Sequence, residues 1–135
     1  MGWDQVHRRY ELVQQTADAV ARYGPGAVDD WRPAIDKEYG GVDGWLRDVQ
    51  RRWYSTVDAQ LDAVLEAAPY DLADAIAELW RDATRARPEL HAVLAAYAGH
   101  PALAAGRERH RRTLFAATGV DEARLGRAAA ALAAA

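Results

Sequence analysis

The chain has no cysteine, a single serine and a single lysine. Without cysteine there is no disulfide scaffold, no thiolate nucleophile and no cysteine-ligated zinc. The lone serine, Ser55, has no neighbour that suggests an activated nucleophile. No apolar run reaches the length of a membrane span, and the N-terminal MGWDQVHRRY lacks the apolar region of a signal peptide. The expectation is a soluble, cytoplasmic protein that does not engage membranes. There is no glycine-rich phosphate loop, no His-Glu-x-x-His zinc signature and no Glu-x-x-His pair of the kind that builds helical di-iron sites. No cofactor is implied. No segment alternates apolar and polar residues over a strand's length, so strands are not expected.

What is present is helical periodicity. The longest pattern covers residues 42–68, where Val42, Leu46, Val49, Trp53, Val57, Leu61, Val64 and Ala68 recur at steps of three and four. Trp45 and Leu65 widen this stripe, and Asp48, Arg52, Ser55, Asp62 and Glu66 occupy the far side. A helix of about 25 residues is roughly 38 Å long, enough to organise a small bundle. Burial of each large apolar side chain on it contributes roughly 1.5–3 kcal/mol. The acid-before-base pairs Asp43–Arg47 and Asp48–Arg52 add only about 0.3–0.5 kcal/mol each.

The rest of the chain reads as shorter helices. Trp3, Val6, Tyr10, Val13, Ala17 and Val20 form an a/d seam about three heptads long. A helix packed on its own chain is preferred to a coiled-coil dimer, since Tyr10 and Ala17 are poor zipper residues. Gly24-Pro25-Gly26 ends that helix, and 27–39 should hold one or two short helices with Trp31 and Ile35 inward and Pro33 in a first turn. Asp71 is suited to cap a helix with Leu72, Ile76, Leu79 and Ala83 inward and Trp80 beside them. Pro88 suits the first turn of the next, and Gly99-His100-Pro101 breaks the chain before a charged helix at 102–117. Gly119 fits a helix C′ position, and Asp121 can cap a last helix carrying Leu125 and Leu132, frayed over about 130–135. The fold class is therefore all-α: a single-domain bundle of five to seven helices over residues 1–135, around the long helix at 42–68.

Charge and aromatic residues are unevenly spread. Residues 1–80 carry a balance of −7 and residues 81–112 a balance of +4, within a total of −3. Ten of the twelve aromatic residues lie at or before Trp80, so an acidic aromatic half precedes a basic one. Sixteen of the seventeen basic residues are Arg, and the composition is similar to that of small Ala- and Arg-rich helical proteins from GC-rich bacteria. That resemblance is one of composition and implies no active site.

Three sets of residues could carry chemistry. Arg107, Arg109, Arg111 and Arg112, with Arg81, Arg85 and Arg87 upstream, offer a basic helix to phosphates, although no aromatic is interleaved to stack bases. Trp45, Trp53 and Trp80 with Arg52 are candidates for an interface or pocket, Trp and Arg being favoured anchors; core packing is the default for the Trp set. His91, His100 and His110 lie within twenty residues, and His7 and Glu11 share a helix face. The first expectation is a non-enzymatic protein–protein interaction module, homodimeric, with the acidic half of one chain set against the basic half of another. The second is a module for an anionic ligand or nucleic acid using the helix at 102–117. The third is a ligand- or metal-binding bundle built on the histidines.

Overall fold

The computed structural model describes residues 2–121. Among them it is all-α, with six helices and no strand: α1 (Trp3–Tyr23), α2 (Val28–Tyr39), α3 (Val42–Ala67), α4 (Leu72–Ala86), α5 (Pro88–Ala96) and α6 (Ala104–Thr118). Single 3-10 turns at Pro25–Ala27 and Pro101–Leu103 lead into α2 and α6. The long helix expected in the middle of the chain is α3, 26 residues. The last helix expected from Asp121, with Leu125 and Leu132, and the frayed end lie outside the described residues.

Two compact units divide the chain. The first joins Met1–Arg52 to Pro88–Ala104; the second takes Trp53–Arg87 and resumes at Ala105. Helix α3 contributes its first turns to one unit and the remainder to the other.

In the first unit α1 packs against α2 and α5. Its core is filled by Val13, Ala17 and Val20 of α1, Ile35 of α2, Trp45 and Val49 of α3, and Leu90 and Val93 of α5. Trp45 is fully buried, and its indole Nε1–H donates to Thr16 Oγ1 at 2.9 Å. The Thr16 hydroxyl in turn donates a hydrogen bond to the Leu12 carbonyl at 2.7 Å. The Trp45 indole N–H and the Thr16 hydroxyl thus satisfy each other and the backbone within the core, as burial favours. Gln50 does the same at another point, donating from Nε2 to the Leu103 carbonyl at 3.0 Å.

The apolar face of α1 differs from the expected seam. Leu12, Val13, Thr16, Ala17 and Val20 are buried, whereas Trp3, Val6 and Tyr10 are 74%, 43% and 53% exposed. A strict 3.5-residue repeat drifts by about 20° per heptad on a straight helix. One line of apolar residues therefore does not stay on one contact along three heptads.

Helix α2 also departs from expectation. Pro33 sits inside it, at the sixth position rather than in a first turn, and Trp31 is only half-buried. Proline at that depth removes the N–H that would meet the Asp29 carbonyl. The helix tolerates the loss because Val28 and Ile35 anchor it on either side and the Pro33 ring faces outward. Its end is sharp: Gly40 adopts φ 76°, in the left-handed region, and its N–H meets the Asp36 carbonyl at 2.9 Å.

In the second unit Asp71 caps α4 as the sequence implies, accepting the Asp74 N–H at 3.0 Å. Ile76, Leu79 and Ala83 form the buried face of α4, with Val57 and Leu61 of α3 and Leu114 of α6 also in the core. Trp53 and Trp80 meet edge to face at 6.5 Å. Phe115 on α6 is 52% exposed. Pro88 opens α5 and Gly119 closes α6 with φ 71°, both at the positions their backbone chemistry favours.

Candidate functional site

The most concentrated polar architecture lies in the first unit, where the α2–α3 corner meets α1. The corner is tight because Gly44 has no side chain: a Cβ there would stand 3.0 Å from the Tyr39 carbonyl oxygen and 3.3 Å from Tyr39 Cβ. This close approach brings the Tyr39 hydroxyl to Asp48, to which it donates at 2.5 Å. Asp48 also accepts from Arg51, 2.6 Å from Nη2, and from Arg52 at 3.4 Å. Burial would raise the Asp48 pKa, but the Tyr39 hydrogen bond, then Arg51 and Arg52, outweigh it and hold the carboxyl below its ordinary value. Burial, followed by the negative partner, pushes the Tyr39 hydroxyl well above its ordinary value. The pair is therefore an ionised carboxylate and a protonated phenol throughout the physiological range.

Arg9 of α1 closes the same corner. Its guanidinium lies 4.8 Å from the Tyr39 ring centroid, over the face, and Nη2 donates to the Glu38 carbonyl at 3.1 Å. Its Nε is shielded from solvent and stands 3.4 Å from Glu38 Oε1, without a hydrogen bond. Arg52 reaches over the Tyr10 ring at 5.6 Å. The space bounded by Val6, Arg9, Tyr39, Gly44, Arg47, Asp48, Arg51 and Arg52 is a cleft of about 650 Å³. Four arginines face one aspartate there, and Arg47 makes no ion pair among the described residues. Along one face of α1 next to this cleft run the exposed Trp3, Val6 and Tyr10, Val6 belonging to both.

The residues singled out from the sequence are placed as follows. Of the Trp and Arg candidates for an interface or pocket, Arg52 lines the cleft, Trp45 and Trp53 are core side chains, and Trp80 is half-buried beside Trp53. On α6, Arg111 and Arg112 both turn to Glu108, at 2.7 and 3.1 Å, and hold its pKa down to about 2. Arg107 and Arg109 are exposed on the same helix. Arg81 and Arg85 likewise pair with Glu78 and Asp82 three residues back. Much of the basic stretch is thus compensated within its own helices.

The histidines are taken up locally. His100 opens the 3-10 turn, its Nδ1 accepting the Ala102 N–H at 3.1 Å while Nε2 lies 3.7 Å from Asp43. His110 stacks on Tyr54 at 3.8 Å and contacts Asp58 at 3.0 Å. His7 packs edge-on against Trp3 at 4.7 Å, and His91 lies on the exposed side of α5. Among the described residues no three His, Asp or Glu side chains converge as a metal donor set.

In the sequence Arg47 and Asp48 read as members of helix-stabilising pairs with Asp43 and Arg52 respectively, and none of Arg9, Tyr39, Arg47 or Asp48 stood out as a site residue. The legible trace was the Arg47–Arg51 spacing, which puts two like charges one turn apart on a helix. Tyr39 is joined to them by a turn that no spacing announces. No family model, no curated protein and no solved structure matches this chain.

Proposed function

We propose that this protein is a non-enzymatic interaction module that associates with a second copy of itself through the exposed N-terminal half of the α1 face. One observation carries the reading: an apolar seam is buried at Val13, Ala17 and Val20 but continues into solvent through Tyr10, Val6 and Trp3. Single exposed apolar residues are ordinary, but three aligned on one helix, including a Trp and a Tyr, make a contiguous patch. Trp, Tyr and Arg are the residues that dominate binding energy at protein contacts. The patch is bordered by the arginines of the cleft, so the surface that covers it should bring carboxylates. The chain supplies such a surface: residues 53–80 hold six acidic side chains and no basic one. A second copy therefore offers a surface that matches the border of the patch in charge.

The test is solution mass by light scattering at low and high salt, against a monomer of 14.9 kDa. The expected outcome is a dimer whose population falls as salt screens the charge contacts, and a Trp3→Glu/Val6→Glu variant that is monomeric throughout yet retains its helical circular dichroism. A wild-type chain that stays monomeric at tens of micromolar in low salt, or a variant that dimerises as before, overturns the proposal.

A further inference from the structure

We infer that the arginine cleft of the first unit is a binding site for a phosphate-bearing small molecule. The inference stands on the cleft alone and does not rest on self-association. Arg9 comes from α1, and Arg47, Arg51 and Arg52 from the α3 face that looks into the cleft, with Asp48 among them. Two carboxylates meet these arginines: Asp48, already engaged by Tyr39, Arg51 and Arg52, and Glu38, 3.4 Å from Arg9 Nε. The four guanidinium groups of the lining still outnumber the two carboxylates, Asp48 within it and Glu38 beside Arg9.

Arg47 is the least compensated of the four. Arg47 and Arg51 are like charges one helical turn apart, an arrangement that destabilises a helix. Asp48 sits beside Arg51 and Arg52 but makes no ion pair with Arg47. An oxyanion between the α1 and α3 arginines removes the repulsion and gives the planar guanidinium groups the bidentate acceptor they fit best.

The cleft is also held in shape before any ligand arrives. Arg9 is fixed by the Tyr39 ring and the Glu38 carbonyl, Arg52 by Asp48 and the Tyr10 ring, and Tyr39 by the Gly44 approach. Preorganised donors lose less freedom on binding. At about 650 Å³ the space exceeds a lone phosphate and falls within the range of sites for small organic ligands. Val6 and the Tyr39 ring offer an apolar wall for the remainder of such a molecule. A charge-lined concavity also concentrates anions ahead of binding.

The experiment is isothermal titration of the full chain with inorganic phosphate and with pyrophosphate, at constant ionic strength set by chloride, for wild type, Arg47→Ala, Arg51→Ala and Arg109→Ala. The expected result is saturable one-to-one binding, tighter for pyrophosphate, weakened at least tenfold by Arg47→Ala and by Arg51→Ala and unchanged by Arg109→Ala. Arg47 and Arg51 are exposed, so circular dichroism should show both variants folded. In a parallel arm, ¹H–¹⁵N spectra recorded with phosphate should shift the amides around Gly44 and Arg47. No saturable binding by 10 mM, roughly the millimolar limit of meaningful affinity, overturns the inference. So does equal weakening by Arg109→Ala, which would mark diffuse charge attraction, or binding of an RNA oligonucleotide with no response to either phosphate.

Discussion

The Tyr39–Asp48 hydrogen bond can be weighed by a double-mutant cycle. Tyr39→Phe removes only the hydroxyl and leaves the ring that carries Arg9. A hydrogen bond to a charged group contributes roughly 1.5–3 kcal/mol, and this half-buried but short one is set at about 2 kcal/mol. Asp48→Asn keeps an acceptor for the hydroxyl but loses the charge that gathers Arg51 and Arg52. Arg51 is exposed, and exposed pairs are worth roughly 0.2–1 kcal/mol; Arg52 is more enclosed, so the variant should lose about 2 kcal/mol in all. In the Asp48→Asn background the hydroxyl makes only a neutral hydrogen bond of about 0.5–1.5 kcal/mol, so the two substitutions should couple by about 1 kcal/mol. Urea unfolding at pH 7, followed by circular dichroism and by Trp fluorescence, measures all four corners. Additivity to within about 0.5 kcal/mol would refute the account of Asp48 as the acceptor that organises the corner.

The same carboxylate makes a prediction about acid. Its folded pKa lies below the unfolded value of about 3.9. A depressed carboxyl contributes stability that is fully present above the unfolded pKa and is lost as pH falls through the folded one. The stability gap between wild type and Asp48→Asn should therefore be constant above about pH 5 and narrow progressively below pH 4. A gap that is constant down to pH 2, or that widens, would contradict the assigned direction of the shift.

Two further predictions concern the packing beneath the site. Thr16→Val keeps the shape of the side chain but strands the Trp45 indole N–H in the core, so urea unfolding should show a loss of about 1–3 kcal/mol; Thr16→Ser, which keeps the hydroxyl, should lose less, and the opposite order would disprove the role of the hydroxyl. Gly44→Ala should gain about 1 kcal/mol from helix propensity on an open helix face. Here the new Cβ meets backbone at 3.0 Å, so the variant should instead be destabilised and the Tyr39 hydroxyl resonance, read by NMR, should shift as the corner opens.

Repeating patterns were legible where one physical preference acted alone. Asp71 as a cap, Pro88 at the start of α5 and Gly119 after α6 follow from local backbone chemistry, and all three occupy the expected places. The α3 stripe was legible because a helix over 20 residues long cannot hide its period. Periodicity was less informative about which part of an apolar face is covered. Trp3, Val6 and Tyr10 continue the line of Val13 and Ala17, yet only the second pair reaches the core. Coverage depends on elements that arrive from elsewhere in the chain, such as α5 onto α1, and no local spacing encodes them.

Charge shows the converse. The basic excess over residues 81–112 drew attention to Arg107, Arg109, Arg111 and Arg112, but Glu108 on the same helix engages two of them. Pairing at three and four residues is local, so this compensation could have been read from the spacing of Glu108, Arg111 and Arg112. The arginines that do converge, Arg9 with Arg47, Arg51 and Arg52, lie in a region whose summed charge is negative, and their surplus is hidden in any average along the chain. What concentrates them is the α2–α3 corner, and that corner depends on the absence of one Cβ at Gly44 and a left-handed turn at Gly40. A site made this way is specified by backbone geometry first and by charge second, which is why composition pointed to α6 while the fold gathers positive charge between α1 and α3.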